Sequence, residues 1–386
     1  RQRDSRMEIK NGSYCPLPFD TLYSNNTGVY DLCCWSEHSR AKKFFEGQNQ
    51  WDKVGPIEFF LSKKMDKVRE MMLAGEKISM CNMCYKQEHF IGESVRTRFA
   101  KQRQPTKVKK INLRIRNFGN HCNLSCVMCL PYNSTTRAKE LKELNYNTDD
   151  WGKHPGVKYE NYNLFKNDLI KNADRLGTIS ITGGEPFAIP KFWKLLLEEM
   201  PSESAKNINL IIETNLTKLE WKNYKFSDLV NRYNEVKLLV SCDHFGDKLK
   251  FIRYPIDVDR FELNLQHYKK YIIHLTLTVS LLNVYDLQQI KLYYKENFDL
   301  DVTTFSYVKE NISEHNPEWN TLSIRNLEQS EKQKLFKKYE HFEETNKHFF
   351  TELKLGINHE TIKNTRNYLK KLAKKRNMSW DNLWSD

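Results

Sequence analysis

No apolar run in the 386-residue sequence approaches the roughly 20 residues that a membrane-spanning helix needs. The N-terminus, RQRDSRMEIK, is charged and lacks the apolar core of a secretory signal. Both absences lead to the expectation of a cytoplasmic protein with no membrane partner. Arg1 is not an initiator residue, so the chain is expected to begin after a removed segment. There is no internal repeat and no low-complexity segment, which excludes repeat arrays and compositionally disordered chains. Cysteine is almost missing from the C-terminal two-thirds: eight of the nine lie between Cys15 and Cys129, mostly in close groups. In a secreted chain that number would suggest disulfides, but the grouping here points to metal.

What is present suits a folded protein. Hydrophobic residues make up 39% and aromatics 12% of the chain, enough for a sizeable core and two or three structural units. The net charge of +13 describes either a lysine-rich surface or an acidic partner: a nucleic acid, an acidic peptide or a phosphorylated small molecule. Basic residues are densest in Arg96 to Lys110, which contains no acid, and in Lys363 to Arg376.

Residues 1–100 hold five cysteines and few strand patterns. Within them 62–74 (SKKMDKVREMMLA) reads as a short helix with Ser62 as N-cap and Gly75 as its stop. The basic, Pro-containing stretch 101–110 reads as a linker. Apolar, β-rich runs then recur at Ile111–Arg116, Thr178–Thr182, Ile208–Glu213, Val236–Ser241, Ile272–Ser280 and Val302–Val308. Helical patterns lie between most of them, at 134–145, 191–200, 221–233 and 285–297. Alternating strands and helices predict an α/β fold with a parallel sheet. Six strands are too few for a closed eight-stranded barrel, so a partial (β/α)6 TIM-like barrel is expected. The tail, 329–386, reads as polar helices with apolar spacing at Ile362, Leu369 and Leu372. The expected domains are a cysteine-rich module over 1–100, the partial barrel over 108–310 and a helical extension over 311–386.

Directly after the first of these strands comes FGNHCNLSCVMCLP, in which Cys122, Cys126 and Cys129 have the spacing C-x3-C-x2-C. Chance gives that spacing about 1% of the time or less, so metal ligation is favoured. A zinc site, completed by His121 or a distant cysteine, would want a fourth ligand. Three thiolates in one short loop suit a [4Fe–4S] cubane with one iron left open to a substrate or cofactor.

The loop resembles the signature of radical S-adenosylmethionine (SAM) enzymes, with Met128 at the apolar position before the last cysteine. ITGGEP (Ile181–Pro186), after the second strand, resembles the family's GGEP motif, in which Gly183, Gly184 and Glu185 let the backbone approach SAM and bind its methionyl amino group. Gly-Gly alone often marks only a turn. Both motifs stand at the C-terminal ends of strands, where ligands of open parallel sheets gather. The resemblance implies a catalytic cluster on Cys122, Cys126 and Cys129 whose open iron chelates SAM. Reductive cleavage of SAM would give a 5′-deoxyadenosyl radical that abstracts hydrogen from a substrate, and a flavodoxin or ferredoxin would donate the electron. The segment SCDHFGDKLKFIR resembles the family's serine-x-aspartate turn followed by an arginine, which would place Ser241 against SAM and Arg253 against its carboxylate. Glu213, Thr214 and Asn215 end the third strand, Asp243 follows the fourth, and Ser280 and Asn283 end the fifth near the expected adenosine. For each of these polar residues a strand-end turn or helix cap is the competing role.

A second set consists of Cys15, Gly28, Cys33 and then Cys81 and Cys84. It resembles the auxiliary-cluster module of the SPASM and twitch subfamilies, in its smaller twitch form, because the further SPASM cysteines do not follow Cys84. The resemblance implies a second, auxiliary [4Fe–4S] cluster on Cys15, Cys33, Cys81 and Cys84, closed and therefore suited to electron transfer or support. Here the module precedes the barrel, as in a group of twitch-domain radical SAM proteins that also share ESVR (Glu93–Arg96) and the region of TLSIRNL (Thr321–Leu327). A structural zinc on four thiolates is the alternative. Cys34 is expected to face away from Cys33, as neighbours on a strand do. Cys242 reads as a buried inert thiol, the alternative for it or Cys34 being a hydrogen-atom donor.

Three functions compete. The auxiliary module favours an oxidoreductase-type radical SAM modification of a peptide or protein residue. The charge favours a nucleotide, RNA or sugar substrate, with nucleic acid the less favoured partner. A non-catalytic iron–sulfur protein is disfavoured by the intact GGEP.

Overall fold

Each of the six apolar runs forms a strand. In this computed structural model, which describes residues 12–25, 28–102, 110–116, 118–148, 162–308, 321–340, 347–354 and 359–384, they are β3 Ile111–Ile115, β4 Leu176–Ile181, β5 Asn209–Thr214, β8 Glu235–Ser241, β9 Ile272–Val279 and β10 Val302–Tyr307. The short strands β1 Thr21–Ser24, β2 Tyr30–Asp31, β6 Glu220–Trp221 and β7 Tyr224–Lys225 complete the set. Residue 1, most of the basic 101–110 stretch and the side chain of Ile362 lie outside the described residues.

The class is α/β with mostly parallel strands. The chain divides into two compact units: Arg1–Asn120, His154–Ile212 and Glu220–Val236 in the first, and His121–Lys153, Glu213–Leu219 and Lys237–Asp386 in the second.

In the first unit the strands run β2-β1-β3-β4-β5. β1 pairs with β3 in parallel, Thr21 opposite Asn112, and β2 closes the edge antiparallel to β1. β3, β4 and β5 pair in parallel. Leu210, Ile212 and Thr214 alternate inward along β5, the period-2 pattern of a strand with one core face. The helix Lys63–Leu73 forms where its cap chemistry predicts, with the Ser62 hydroxyl accepting the Met65 amide at 3.3 Å. Its Met65, Val68 and Met72 are buried at the i, i+3, i+7 spacing of one helix face. Trp51 stacks on Phe165 with centroids 4.5 Å apart, and its indole N–H donates to the Ser24 hydroxyl at 2.9 Å.

The pattern at 221–233 resolves differently from the expected helix. Residues 220–225 make the hairpin β6–β7, and only Phe226–Arg232 is helical. The pattern at 191–200 becomes a short helix, Pro190–Trp193, continued by π-helix over Lys194–Glu199. The N-terminal region also holds β1, a strand that the sequence patterning did not signal.

Gly55 caps the helix Pro56–Phe60 from a tight position. The Asp168 carboxylate accepts the Ile57 and Glu58 amides at 2.7 and 3.2 Å, and a Cβ on Gly55 would stand 2.2 Å from Asp168 Cβ. Gly55→Ala is therefore expected to destabilise the protein by about 1–3 kcal/mol through overpacking, read from the midpoint of denaturant unfolding.

In the second unit β8, β9 and β10 pair in parallel, and the helices Thr135–Glu143, Gly246–Ile252 and His359–Lys375 contribute to one core. Val127, Leu141, Phe251, Ile252, Leu282, Leu322, Tyr368 and Leu372 belong to that core. Among the described residues no helix is long and apolar enough to cross a membrane.

Candidate functional site

The loop with Cys122, Cys126 and Cys129 belongs to the second unit and has no regular structure of its own. Its shape comes from backbone pairing and from the residues between the cysteines. Ser125 and Val127 donate their amides to the carbonyls of Tyr254 and Ile252 at 2.6 and 2.8 Å, and the Cys129 amide closes a turn on the Cys126 carbonyl at 3.0 Å. Leu124 and Val127 are buried, while the three cysteines stay half-buried. The Ser134 hydroxyl donates to the Leu124 carbonyl at 3.0 Å and also caps the helix Thr135–Glu143. Thr136 donates to the Cys122 carbonyl.

Arginines surround this loop. Arg253 reaches Cys126 and Cys122 electrostatically, and Cys126 also feels Arg376 and Arg137. Burial pushes the Cys126 thiol up, and these cations pull the other way. A cationic setting suits an anionic, thiolate-ligated group. Among the described residues no three His, Cys, Asp or Glu side chains converge as ligands of a single metal ion. A cubane does not ask for that convergence, because each thiolate binds a separate iron.

The expected SAM contacts are placed as follows. Arg253 is buried and pairs with Asp243 at 3.4 Å, and it donates to the Ser241 carbonyl at 3.4 Å. Burial raises the Asp243 carboxyl, with Arg253 opposing, and its Oδ1 accepts the Thr278 amide at 2.8 Å. The Ser241 hydroxyl meets that of Thr276 at 3.5 Å. Asn215 donates to Asn123 Oδ1 at 3.0 Å, which ties the end of β5 to the cysteine loop, and accepts the Thr217 amide at 3.0 Å. The Thr214 hydroxyl accepts the Leu216 amide at 3.0 Å. Ser280 and Asn283 build a turn: Asn283 Oδ1 accepts the Ser280 amide at 2.9 Å and its Nδ2 donates to the Asp243 and Thr278 carbonyls at 3.0 and 2.9 Å. Cys242 is fully buried, which raises its thiol pKa strongly and fits the inert reading.

Gly183, Gly184 and Glu185 follow β4 in the first unit. Gly183 has φ +140°, where a Cβ would stand 3.3 Å from the Gly119 carbonyl oxygen and 3.4 Å from that of Arg116. Gly184 donates its amide to Gly119 at 3.4 Å. Glu185 is fully buried and caps the turn Pro186–Ala188, accepting the Phe187 amide at 3.3 Å. The glycine at 183 is thus required by the backbone. Gly183→Ala is expected to cost about 1–3 kcal/mol in backbone strain and to weaken SAM binding in equilibrium dialysis, with the far-UV spectrum retained.

Also in the first unit, Cys15, Cys33, Cys81 and Cys84 line one small cavity together with Leu17, Trp35, Met72, Met80 and Arg96; the exposed Cys34 is not part of its wall. Cys33 and Cys34 sit in a turn rather than a strand, so they diverge for a different reason than alternation along a strand. Cys81 and Cys84 meet because a 3-10 turn, Ser79–Cys81, runs into the helix Asn82–Ile91. Burial pushes the Cys15 and Cys81 thiols up to about 12 and raises Cys33 and Cys84 as well. The Trp35 amide donates to Cys33 Sγ at 3.4 Å, and the Arg96 backbone and the Ser94 side chain oppose the rise at Cys84, the Ser94 hydroxyl itself donating to Glu88 Oε1 at 2.5 Å. Arg96 in turn pairs with Glu88 through Nε at 2.9 Å and Nη2 at 2.5 Å, and donates to the Tyr14 carbonyl at 2.9 Å. Four thiols in one cavity, with backbone N–H donors at Cys33 and Cys84, fit a thiolate-ligated cluster. Ser94 and Arg96 enter the sequence reading only as part of ESVR. Glu88 was not singled out, and its place six residues before Ser94 carries no pattern that would have exposed it.

Residues 117–295 match the family described as Radical SAM superfamily. No curated protein matches the chain. Among solved structures the chain is similar to native anSMEcpe with bound AdoMet, at 18% identity and TM-score 0.40, over 64% of this chain and 64% of that one. It is also similar to Streptococcus suis SuiB bound to S-adenosylmethionine, at 16% identity and TM-score 0.34, over 80% of this chain and 59% of that one. The match therefore spans less than two thirds of the length of either structure.

Proposed function

We propose that residues 117–295 form a radical SAM domain holding a [4Fe–4S] cluster on Cys122, Cys126 and Cys129, and that the protein is an enzyme modifying a peptide or protein residue. The observation that carries the reading is the family match across a loop whose backbone is fixed by Tyr254 and Ile252 while its three cysteines stay only half-buried. When bound, the cluster would supply the electron that cleaves SAM and so start hydrogen abstraction from the substrate.

The chain's own residues supply the rest. Leu124 and Val127 anchor the loop in the core. The left-handed turn at Gly183 is read as the approach for the methionyl end of SAM, and Arg253, with Asp243 and Ser241 beside it, as a cation for its carboxylate. Asn215 positions the loop through Asn123. A second [4Fe–4S] cluster on Cys15, Cys33, Cys81 and Cys84 is supported by their shared cavity and by the donors around it. The printed titles of similar structures include a bound peptide, as in native anSMEcpe with AdoMet and Cp18Cys peptide, which agrees with a peptide substrate for this chain. A nucleotide, RNA or sugar substrate is the second reading, favoured by the +13 charge.

The test is anaerobic reconstitution with SAM and dithionite in the presence of candidate substrates, followed by mass spectrometry. Formation of 5′-deoxyadenosine with a changed peptide mass supports the reading. RNA that copurifies in a salt-sensitive way and is modified instead would replace the substrate class, and no SAM cleavage under reduction would overturn the enzyme.

A further inference from the structure

Three of the buried charges in the second unit, two of them positive, form one cluster. Arg137, Glu140 and Arg376 are 0%, 6% and 4% exposed. Arg376 grips the Glu140 carboxylate with Nε at 2.8 Å and Nη2 at 2.7 Å, and Arg137 Nη1 reaches the same carboxylate at 2.7 Å. Burial works to raise the Glu140 carboxyl, but the hydrogen bonds and charges of the two arginines hold it low, so it is ionised. The triad therefore carries one net positive charge in the interior. The neighbouring Arg253–Asp243 pair is neutral and leaves that balance unchanged.

Such an arrangement is costly as a structural device. Buried ion pairs are often no more stabilising than apolar residues of similar volume, and an unneutralised buried charge is worse. Arg137 Nε also has no hydrogen-bond acceptor among the described residues. The cost makes sense if a negative group completes the site.

The hydrogen bonds of the triad show where that group lies. Arg376 Nη2 donates to the Ser125 carbonyl at 2.6 Å and Arg137 Nη2 to the Val127 carbonyl at 3.2 Å. These are the residues on either side of Cys126. Arg376 also donates to the Phe251 carbonyl, and its guanidinium lies over the Tyr254 ring at 4.9 Å. Phe251 directly precedes Ile252, which with Tyr254 accepts the loop's own amides. The Tyr368 hydroxyl accepts from the same Nη2 of Arg137. Arg376 and Tyr368 both lie outside the matched domain, on and just beyond the helix His359–Lys375.

We propose that the Arg137–Glu140–Arg376 triad is a positioning and charge-setting element for the cluster on Cys122, Cys126 and Cys129, fixing the loop around Cys126 and favouring the cluster's uptake of an electron. This rests on the reading of those cysteines as cluster ligands. One-electron reduction, with dithionite as the species oxidised, makes the ligated cluster one unit more negative. A fixed net positive charge beside it stabilises the reduced form and raises its potential.

The test is the midpoint potential of the reconstituted full-length protein, measured by electron paramagnetic resonance during dithionite titration, in the wild type, Arg376→Gln and Glu140→Gln. Removing the cation should shift the potential to more negative values. Removing the anion should shift it to more positive values. A merely structural role would not give opposite signs. Shifts of the same sign, or none in either variant, would overturn the inference. Should either variant fail to fold, hydrogen exchange on the wild type replaces it: loading the cluster should protect amides of the segment 365–376, and unchanged exchange there would overturn the inference. Wild-type protein that takes up no iron on these cysteines overturns the functional reading and this inference with it. Iron uptake with same-sign shifts overturns the inference alone.

Discussion

Replacing Cys122, Cys126 and Cys129 together by Ala is expected to remove one of two clusters, lowering iron from about eight to about four per chain, and to reduce 5′-deoxyadenosine formation to background. The effect should be confined to chemistry. The loop is held by the Ser125 and Val127 amides, by the buried side chains of Leu124 and Val127, and by the arginine contacts to its carbonyls, none of which involves a thiol. The triple variant should therefore remain soluble, with the far-UV spectrum of the parent protein. Iron analysis, product chromatography and circular dichroism on one preparation settle the three points. Unchanged iron in the variant would sink the ligand assignment.

The second large effect concerns the auxiliary set. Cys33→Ala is expected to lose the auxiliary iron, whereas Cys34→Ala should keep it, because Cys33 lines the cavity and Cys34 is exposed outside it. Cys81→Ala distinguishes a redox role from a staple. The surrounding stretch has a core of its own in Tyr30, Phe45, Trp51, Phe59, Phe60, Met65 and Val68, all nearly inaccessible to solvent. Burial of that size favours folding without metal. The expected outcome is a soluble Cys81→Ala protein that still cleaves SAM when reduced but fails to turn over substrate. Aggregated or protease-sensitive protein would instead mark a metal-dependent fold, and full substrate turnover would leave the auxiliary group with neither role.

Much of this was legible in the sequence because strands with a buried face announce themselves. β5 and β9 alternate inward-facing Leu, Ile and Val with their neighbours, and six of the strands followed from such runs. β1 did not, because four residues, TLYS, are too few to show a period. The helix expected over 221–233 failed at its start, where tertiary context closes Glu220–Lys225 into a hairpin and leaves seven residues helical. The cysteines were readable by spacing, and the cavity groups the four that were named. The charged triad was hidden among ordinary charges, yet a signal existed. Arg137, Glu140, Leu141 and Leu144 share one helix face, as do Tyr368, Leu369, Leu372 and Arg376, so each arginine stands where an apolar residue is due.

The pairing of β1 with β3 has a consequence for biosynthesis. Thr21 and Asn112 are partners roughly ninety positions apart, and closing a loop of that length carries an entropic cost on the order of 4 kcal/mol. As the chain leaves the ribosome at about 5–20 residues per second, β1 waits some 5 to 20 seconds for its neighbour to be made. Cys15 and Cys33 bracket β1, and during that interval they are held only by contacts within the first hundred residues, such as Arg96 on the Tyr14 carbonyl. Metal delivered early would meet a pocket whose β1 edge is not yet paired, while metal delivered after β3 has emerged would meet that edge in place. A fragment ending near residue 100 would lack the strand that orders Thr21–Ser24, and should take up iron less faithfully than the whole chain.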